Sequence, residues 1–395
     1  MKKMLLFLIS FVFVINSFSQ DWTEPVQINT LQGYNNNPDF CIDNNGTLHC
    51  VWSYKIEQNH RIIYYSKSVD DGMTWSTPEN VSQNTSLWME NPHIVSDSQN
   101  SLHLTYDYNT GSTGGGTLIV YKKFNGNYWS SSHDTLSVGW PGARHNRLVI
   151  DQNDKLYCFW FHEYQNGTTL YRILENEIWG EITIPYNNND LIFFNKGFID
   201  GSNNIRCTGA HHSDGQSGYD DRVISFNFIN GLWDEWVQLS DNTSWGGNDI
   251  AINTNNHPSI AWRQYTSNTI PPNDGTLFSK FNGNYWSYPE IIVEDPSAQA
   301  IAIDKNNKIH IVDNEKFENG YRLIHYQLVN NEWVGEIIKE DNHGHFDNKF
   351  ITNGQYIYLL NGKVDTIIGS SSETSIIFKK IRNFNKHKKQ NHTCI

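Results

Sequence analysis

Lys123-Phe124-Asn125-Gly126-Asn127-Tyr128-Trp129-Ser130 returns unchanged at Lys280-Phe281-Asn282-Gly283-Asn284-Tyr285-Trp286-Ser287. Identical octapeptides so far apart in one chain mark internal repetition, which decides an architecture before any single element does. Followed outward, the tryptophan of this string belongs to a series: Trp22, Trp75, Trp129, Trp179, Trp233, Trp286 and Trp333, separated by 53, 54, 50, 54, 53 and 47 residues. Between these tryptophans a second unit recurs, a strand, a polar turn and another strand, at 37–52, 91–106, 146–160, 196–209, 248–262, 298–312 and 348–360. Its turns, such as Asp43-Asn44-Asn45-Gly46 and Asp304-Lys305-Asn306-Asn307, have the Asn, Asp and Gly chemistry of tight hairpins.

Apolar residues alternate in short runs, as at Leu102, Leu104 and Tyr106, and do not recur at the three-and-four spacing of an amphipathic helix. Aromatic residues make up 14% of the chain, with 14 tryptophans, too many for a disordered segment. The expectation is an all-β chain, a β-propeller with one blade per repeat and therefore seven blades over residues 21–382. The last repeat lacks a Trp-led outer strand, and Trp22 to Ile28 offers such a strand with no inner partners before it. The N-terminal strand is therefore expected to complete the last blade and close the ring, which removes open sheet edges.

Residues 1–20 read as a secretory signal peptide: Lys2 and Lys3, an apolar run from Leu5 to Ile15, and the small Ser17 and Ser19 before Gln20. No later stretch is apolar over the roughly 20 residues of a membrane helix, so no membrane span is expected and the mature chain is placed outside the cytoplasm: secreted, periplasmic or at the cell surface. Loss of Lys2 and Lys3 takes the formal charge from −13 to −15. Lys379, Lys380, Arg382, Lys386, Lys388 and Lys389 crowd the C-terminus, which leaves the body more acidic still and argues against nucleic acid as a partner. Residues 383–395 are expected to be a basic, disordered tail. Of five cysteines, Cys41 and Cys50 flank one hairpin turn and are candidates for pairing.

Ser68-Val69-Asp70-Asp71-Gly72-Met73-Thr74-Trp75 resembles the Asp-box, or BNR repeat, of sialidase-like propellers. The resemblance implies a hairpin turn built on Asp70 and Gly72 and a tryptophan packed between blades, a structural role with no catalyst. Catalytic sialidases have six blades and an arginine in a Phe/Tyr-Arg-Ile-Pro string. The nearest string here, Tyr171-Arg172-Ile173-Leu174, lacks the proline. The chain is more similar to the seven-bladed propeller polysaccharide lyases that cut ulvan. Those carry one histidine at the start of an inner strand and a second near the end of the adjoining strand, with Arg and Tyr in later blades. Arg144-His145-Asn146-Arg147-Leu148 and Phe161-His162-Glu163-Tyr164 have that arrangement.

In a propeller, the start of each innermost strand and the end of its antiparallel neighbour lie at one mouth of the central channel, where ligand sites form. Read at those places, His145, His162, Arg263 and Tyr265 are the candidate catalytic residues, and Arg144, His211, His212, Tyr219, Trp245 and His345 the candidate substrate-binding ones. His49, His103 and His310 fall inside second strands and read as structural. Elimination from a uronate needs a cation on the carboxylate, a base for the C5 proton and an acid for the leaving oxygen. Arg263 suits the first task, His145 or His162 the second, Tyr265 or Tyr219 the third, and Trp245 suits stacking on a sugar ring. The expected partner is an anionic polysaccharide. The sequence requires no cofactor. A Zn²⁺ or Mn²⁺ ion on His162, His211, His212 and His345 is the alternative, without a compact His-Glu-x-x-His spacing. A non-catalytic propeller that binds glycans or proteins, and an exo-glycosidase of sialidase type, remain open at this level.

Overall fold

A computed structural model describes residues 22–382, apart from 58–59, 84–86, 111–115, 163–166, 187–190, 213–220, 241–246, 265–274, 295–298, 354 and 369–370. The segment read as a signal peptide, 1–20, and the one read as a basic tail, 383–395, lie outside the described residues. Among the described residues, all regular structure is β-strand and no helix is long and apolar enough to cross a membrane.

The molecule is an all-β propeller. Its innermost strands are Tyr34–Ile42, Trp88–Ser96, Ala143–Ile150, Leu191–Ile199, Asn248–Ile252, Ala300–Ile303 and His345–Thr352. Each pairs antiparallel with the strand that follows it in sequence, through the turns read as hairpins. The turns share one device. The carboxylate or amide oxygen of Asp43, Asp97, Asp151, Asp200, Asn253, Asp304 or Asn353 accepts the amides two and either three or four residues on, at 2.7–3.0 Å, which is an Asx turn. His49, His103 and His310 are buried and direct a ring nitrogen at the turn carboxylates Asp43, Asp97 and Asp304, at 3.3, 3.2 and 3.5 Å. Arg206 does the same for Asp200 at 2.8 Å.

Five of the turns, those at Asp43, Asp97, Asp151, Asp200 and Asn253, are also fastened to the next. The amides of Asn44, Ser98, Gln152, Gly201 and Thr254 donate to the side-chain oxygens of Asn100, Asp154, Asn203, Asn256 and Asn307 at 2.7–2.9 Å. The five acceptors all have φ between 61° and 64°, the left-handed conformation that Asn and Asp tolerate best among non-glycine residues. A belt of hydrogen bonds thus runs along the turn rim.

The hydrogen-bonded sheets number six rather than seven, because strands from Tyr34 to Thr135 form one sheet of eight. Its two antiparallel meanders meet at a single parallel bridge, Arg61 to Trp88. That bridge is clamped by side chains: the Arg61 guanidinium lies 4.2 Å from the Trp88 ring centre and 2.9 Å from Glu90.

The chain's ends meet as expected. Val26–Gln27 pairs with Phe378 and Ile377 as the outer strand of the last sheet. The Asp-box reinforces this seam. Asp70 accepts from the Ser68 hydroxyl at 2.7 Å and from the Thr74 amide and hydroxyl at 2.8 and 2.5 Å. Gly72, at φ +83°, lies against the Phe378 ring, and Trp75 packs edge-on to the same ring at 5.4 Å. Asp71 binds Lys380 at 2.7 Å and Tyr358 at 2.6 Å.

The core is divided among clusters between neighbouring units, and each contains one tryptophan of the repeat series: Trp129, Trp233, Trp333, Trp75, Trp179, Trp22 and Trp286 in turn. Cys41 and Cys50 are free thiols. They do not pair because they face opposite sides of their hairpin, Cys41 toward the Trp129 cluster and Cys50 into the Trp75 cluster. Arg172, of the Tyr-Arg-Ile-Leu string, donates to the carbonyls of Gly180 and Leu136 at 2.6 and 3.1 Å, so it holds neighbouring units together.

Candidate functional site

The inner strands carry a bulge near their starts, with register shifts between Asn36 and Asp39, Glu90 and His93, Arg144 and Arg147, and Phe346 and Lys349. A bulge adds a residue and changes which face the next side chains take. Within each bulge sits a residue with positive φ: Asn37, Asn91, His145 and Asp347, at 51–55°. These form a collar at the channel mouth. The Asn37 amide donates to Asp347 at 3.0 Å, and the Asn37 side chain to that of Asn91. Asn91 donates to Asp107 at 2.7 Å.

Asp107 is buried and holds the next bulge in place. Its carboxylate accepts from the His145 amide at 3.0 Å and from the Asn146 side chain at 2.7 Å. Burial pushes the Asp107 carboxyl above the usual carboxylate range, and these hydrogen bonds only partly offset it. His145 is thereby fixed in a left-handed conformation that costs about 1–2 kcal/mol for most side chains. Its imidazole is exposed and lies edge-on to Phe193, 5.6 Å away. Among the four left-handed collar residues, it alone is neither Asn nor Asp. Arg144 beside it is exposed.

The other sequence candidates are placed differently. Ala143 pairs directly with His162, so His162 is at the same end of the sheet as His145. It is nonetheless only 3% exposed and packs edge-on to Trp140 at 5.2 Å. His211 is half-buried and stacked on Trp236 at 4.6 Å. His345 is buried, with one ring nitrogen 3.0 Å from Asp341 and the other 2.6 Å from Asn361, so both are occupied within the fold. Arg263 is half-buried near the mouth end of Pro258–Gln264, opposite Thr276. His212 ends the strand Ile205–His212. Tyr219, Trp245 and Tyr265 lie outside the described residues. Among the described residues, no group of three or more His, Cys, Asp or Glu is arranged to hold a metal ion.

Sequence reasoning missed the ring directly beneath the collar. Two residues past each left-handed position stand Asp39, His93, Arg147 and Lys349, and with Lys196 and Asp249 they line an axial cavity of about 510 Å³. Asp39 accepts from His93 Nδ1 at 3.1 Å and from the Ile94 amide at 3.0 Å. His93 Nε2 faces Arg147 Nη1 at 2.9 Å. Since arginine can only donate, the chain assigns Nε2 as acceptor and the proton to Nδ1. Burial, helped by Arg147, lowers the His93 imidazole to about 4 despite Asp39. Burial alone would raise the Asp39 carboxyl, but His93, Lys349 and the Ile94 amide hold it below its ordinary value. Arg147 also donates from Nε to the Asn195 carbonyl at 2.7 Å, and Lys196 pairs with Asp249 at 2.6 Å. The signal for this ring was a charged or imidazole residue two places after each polar strand start, as in Asn37-Pro38-Asp39, Asn91-Pro92-His93 and Asp347-Asn348-Lys349.

No family model matches the chain, and no curated protein matches it. Solved structures do. An ulvan lyase of polysaccharide lyase family PL25 superposes with a TM-score of 0.63 over 89% of this chain and 95% of that one, at 13% identity. A second structure of that family is bound to -[GlcA(1-4)Rha3S]- and has a TM-score of 0.62. Polysaccharide lyase Uly1 gives 0.57 over 87% and 89%, at 10% identity. The intramolecular trans-sialidase from Ruminococcus gnavus gives 0.50 over 88% and 94%, also at 10%. The fold is a β-propeller like those of these polysaccharide lyases and of the trans-sialidase.

Proposed function

We propose that this chain is a secreted polysaccharide lyase on a seven-bladed propeller, cleaving a uronic-acid-containing, ulvan-like polymer by β-elimination at the channel mouth. The observation that carries the reading is His145: an exposed imidazole at the mouth, its backbone held by Asp107 in a conformation that its collar neighbours reach with Asn or Asp. Strained backbone conformations concentrate where function requires a side chain in one place. The seven-blade count is supported by the single-bridge junction of the eight-stranded sheet and by the seven inter-unit clusters with one repeat tryptophan each. The whole-chain likeness to ulvan lyases favours the same reading.

In the reaction, Arg144 or Arg263 neutralises the uronate carboxylate, which acidifies the C5 proton. His145 removes that proton, the electron pair forms the C4–C5 double bond, and the C4–O bond breaks. Tyr219 or Tyr265 returns a proton to the leaving oxygen. His162, buried beside Trp140, orders this end of the sheet. A non-catalytic glycan-binding propeller is the second reading, favoured by the burial of His162, which leaves a single described imidazole of this pair open to solvent.

Ulvan and other polyuronates incubated with the pure protein should yield unsaturated ends, followed by their ultraviolet absorbance. His145→Ala should lower kcat by about 10²–10⁴-fold. A flat trace with every polymer removes the lyase reading. Retention on a glycan affinity gel without turnover would then establish the binding one, and monosaccharide release without absorbance an exo-glycosidase.

A further inference from the structure

The axial cavity is lined by three cations, Arg147, Lys196 and Lys349, and two carboxylates, Asp39 and Asp249, an excess of one positive charge with His93 neutral. The carboxylates are engaged. Asp39 takes His93 and the Ile94 amide. Asp249 takes Lys196 at 2.6 Å, the Ile250 amide at 2.7 Å and the Ile301 amide at 3.1 Å. Two of the cations feel the field of Asp39 and Asp249 but have no hydrogen-bonded carboxylate among the described residues. Arg147, which lines the cavity, is held by the Asn195 and Asn146 carbonyls and by His93 through Nε and Nη1, and its Nη2 has no hydrogen bond among the described residues. Lys349 has no hydrogen bond or ion pair among the described residues, although burial lowers its ammonium below the ordinary lysine value.

Nearby acids do not supply the missing partner. Asp347, on the same strand as Lys349, is bound by the Asn37 amide, and Asp107 by Asn91, Asn146 and the His145 amide. Asp39 and Asp249 stabilise the half-buried Lys349 ammonium only through their field, because their oxygens are taken by other donors, and an ammonium held away from bulk water gains from a direct oxygen partner. We propose that this cavity is a binding site for a small oxyanion, a sulfate, phosphate or carboxylate group, held between Arg147 Nη2 and the Lys349 ammonium. The planar guanidinium, fixed by the Asp39–His93 chain, is pre-organised for such a group. The site is independent of the lyase reading and is tested without turnover.

The experiment is calorimetric titration of the full chain with sodium sulfate at constant ionic strength, with a thermal melt at each concentration. One sulfate should bind per chain, and the melting temperature should rise with sulfate. Lys349→Met should weaken binding by at least about tenfold, the loss of one charge-assisted hydrogen bond. Its melting temperature without sulfate should stay close to the parent's, since removing the half-buried ammonium relieves repulsion from Arg147 and Lys196 while losing the field it shares with Asp39 and Asp249. A second arm uses sodium glucuronate. Competition with sulfate identifies an acidic sugar as the source of the group, and sulfate binding alone identifies a free ion. Absence of binding in both arms, or Lys349→Met titrating like the parent, overturns the proposal. Should Lys349→Met fail to fold, Lys349→Gln gives the same comparison.

Discussion

Gly72→Ala tests how the ring is closed. A β-carbon added at Gly72 would stand 1.9 Å from a ring carbon of Phe378, and φ there is +83°. Gly46 is the matched control, since its φ is +81° and nothing lies within 4 Å of its would-be β-carbon. The left-handed conformation costs alanine about 1–2 kcal/mol, offset by about 0.4–1 kcal/mol from the stiffer unfolded chain. Gly46→Ala should therefore destabilise by about 1 kcal/mol. Gly72→Ala carries the same contribution and must also displace the Phe378 ring from Trp75, an overpacking of about 1–3 kcal/mol, for a total of about 2–4 kcal/mol. Urea unfolding of both variants, with unchanged slopes, gives the comparison. Equal midpoints for the two variants would refute the claim that the Asp-box is wedged against the last sheet. Phe378→Leu in the Gly72→Ala background should recover part of the loss, and a purely additive double variant would count against direct contact.

Two pH dependences follow from the fold. Hydrogen bonds from the Thr74 hydroxyl and amide and from Ser68 hold Asp70 down to about 2 from an ordinary 3.8. Its contribution is therefore complete above pH 3.8 and fades as pH falls through about 2. Asp70→Asn should be less stable at neutral pH and show a flatter acid limb in that window, read by denaturant midpoints at each pH. His93 titrates near 4 in the fold against an ordinary 6.5, so the unfolded chain takes up the proton first and stability falls as pH drops from 6.5 through 4. His49, His310 and His325 are lowered as well, so the difference between the parent and His93→Gln isolates one residue. That difference should change by up to about 3 kcal/mol across the window, and parallel curves would contradict the buried, neutral imidazole.

The repeat was legible because its parts answer to local chemistry. Asx turns need Asp or Asn at a fixed offset, and the tryptophan before each outer edge needs an apolar slot between units, so both leave a period in the sequence. The same locality explains why His49, His103 and His310 read correctly as structural: each serves a turn six residues before it. The closing strand was legible from a missing partner, Trp22 to Ile28 against the last repeat. The site was less so. Alternation from Asn36 would have turned Asp39 away from the channel axis as readily as toward it, and only the bulge settles the matter. His145 and His162 looked equivalent because pairing puts them at one end of one sheet. What separates them is Trp140, a loop residue that covers His162 and leaves His145 open. Cys41 and Cys50 looked like a pair across a turn, but side-chain parity sends them to different clusters.

The fastening of turn to turn has a consequence for how this protein can change. Every link in that belt lies at the end of the ring remote from His145, where a substitution in one unit is felt by its neighbour. The opposite end owes its backbone positions to Asp107 and Asp347, so the connections there can lengthen or exchange chemistry without unpicking the ring. Selection for a new ligand at the mouth and selection for endurance would then act on separate sets of residues, and a variant gaining one need not surrender the other.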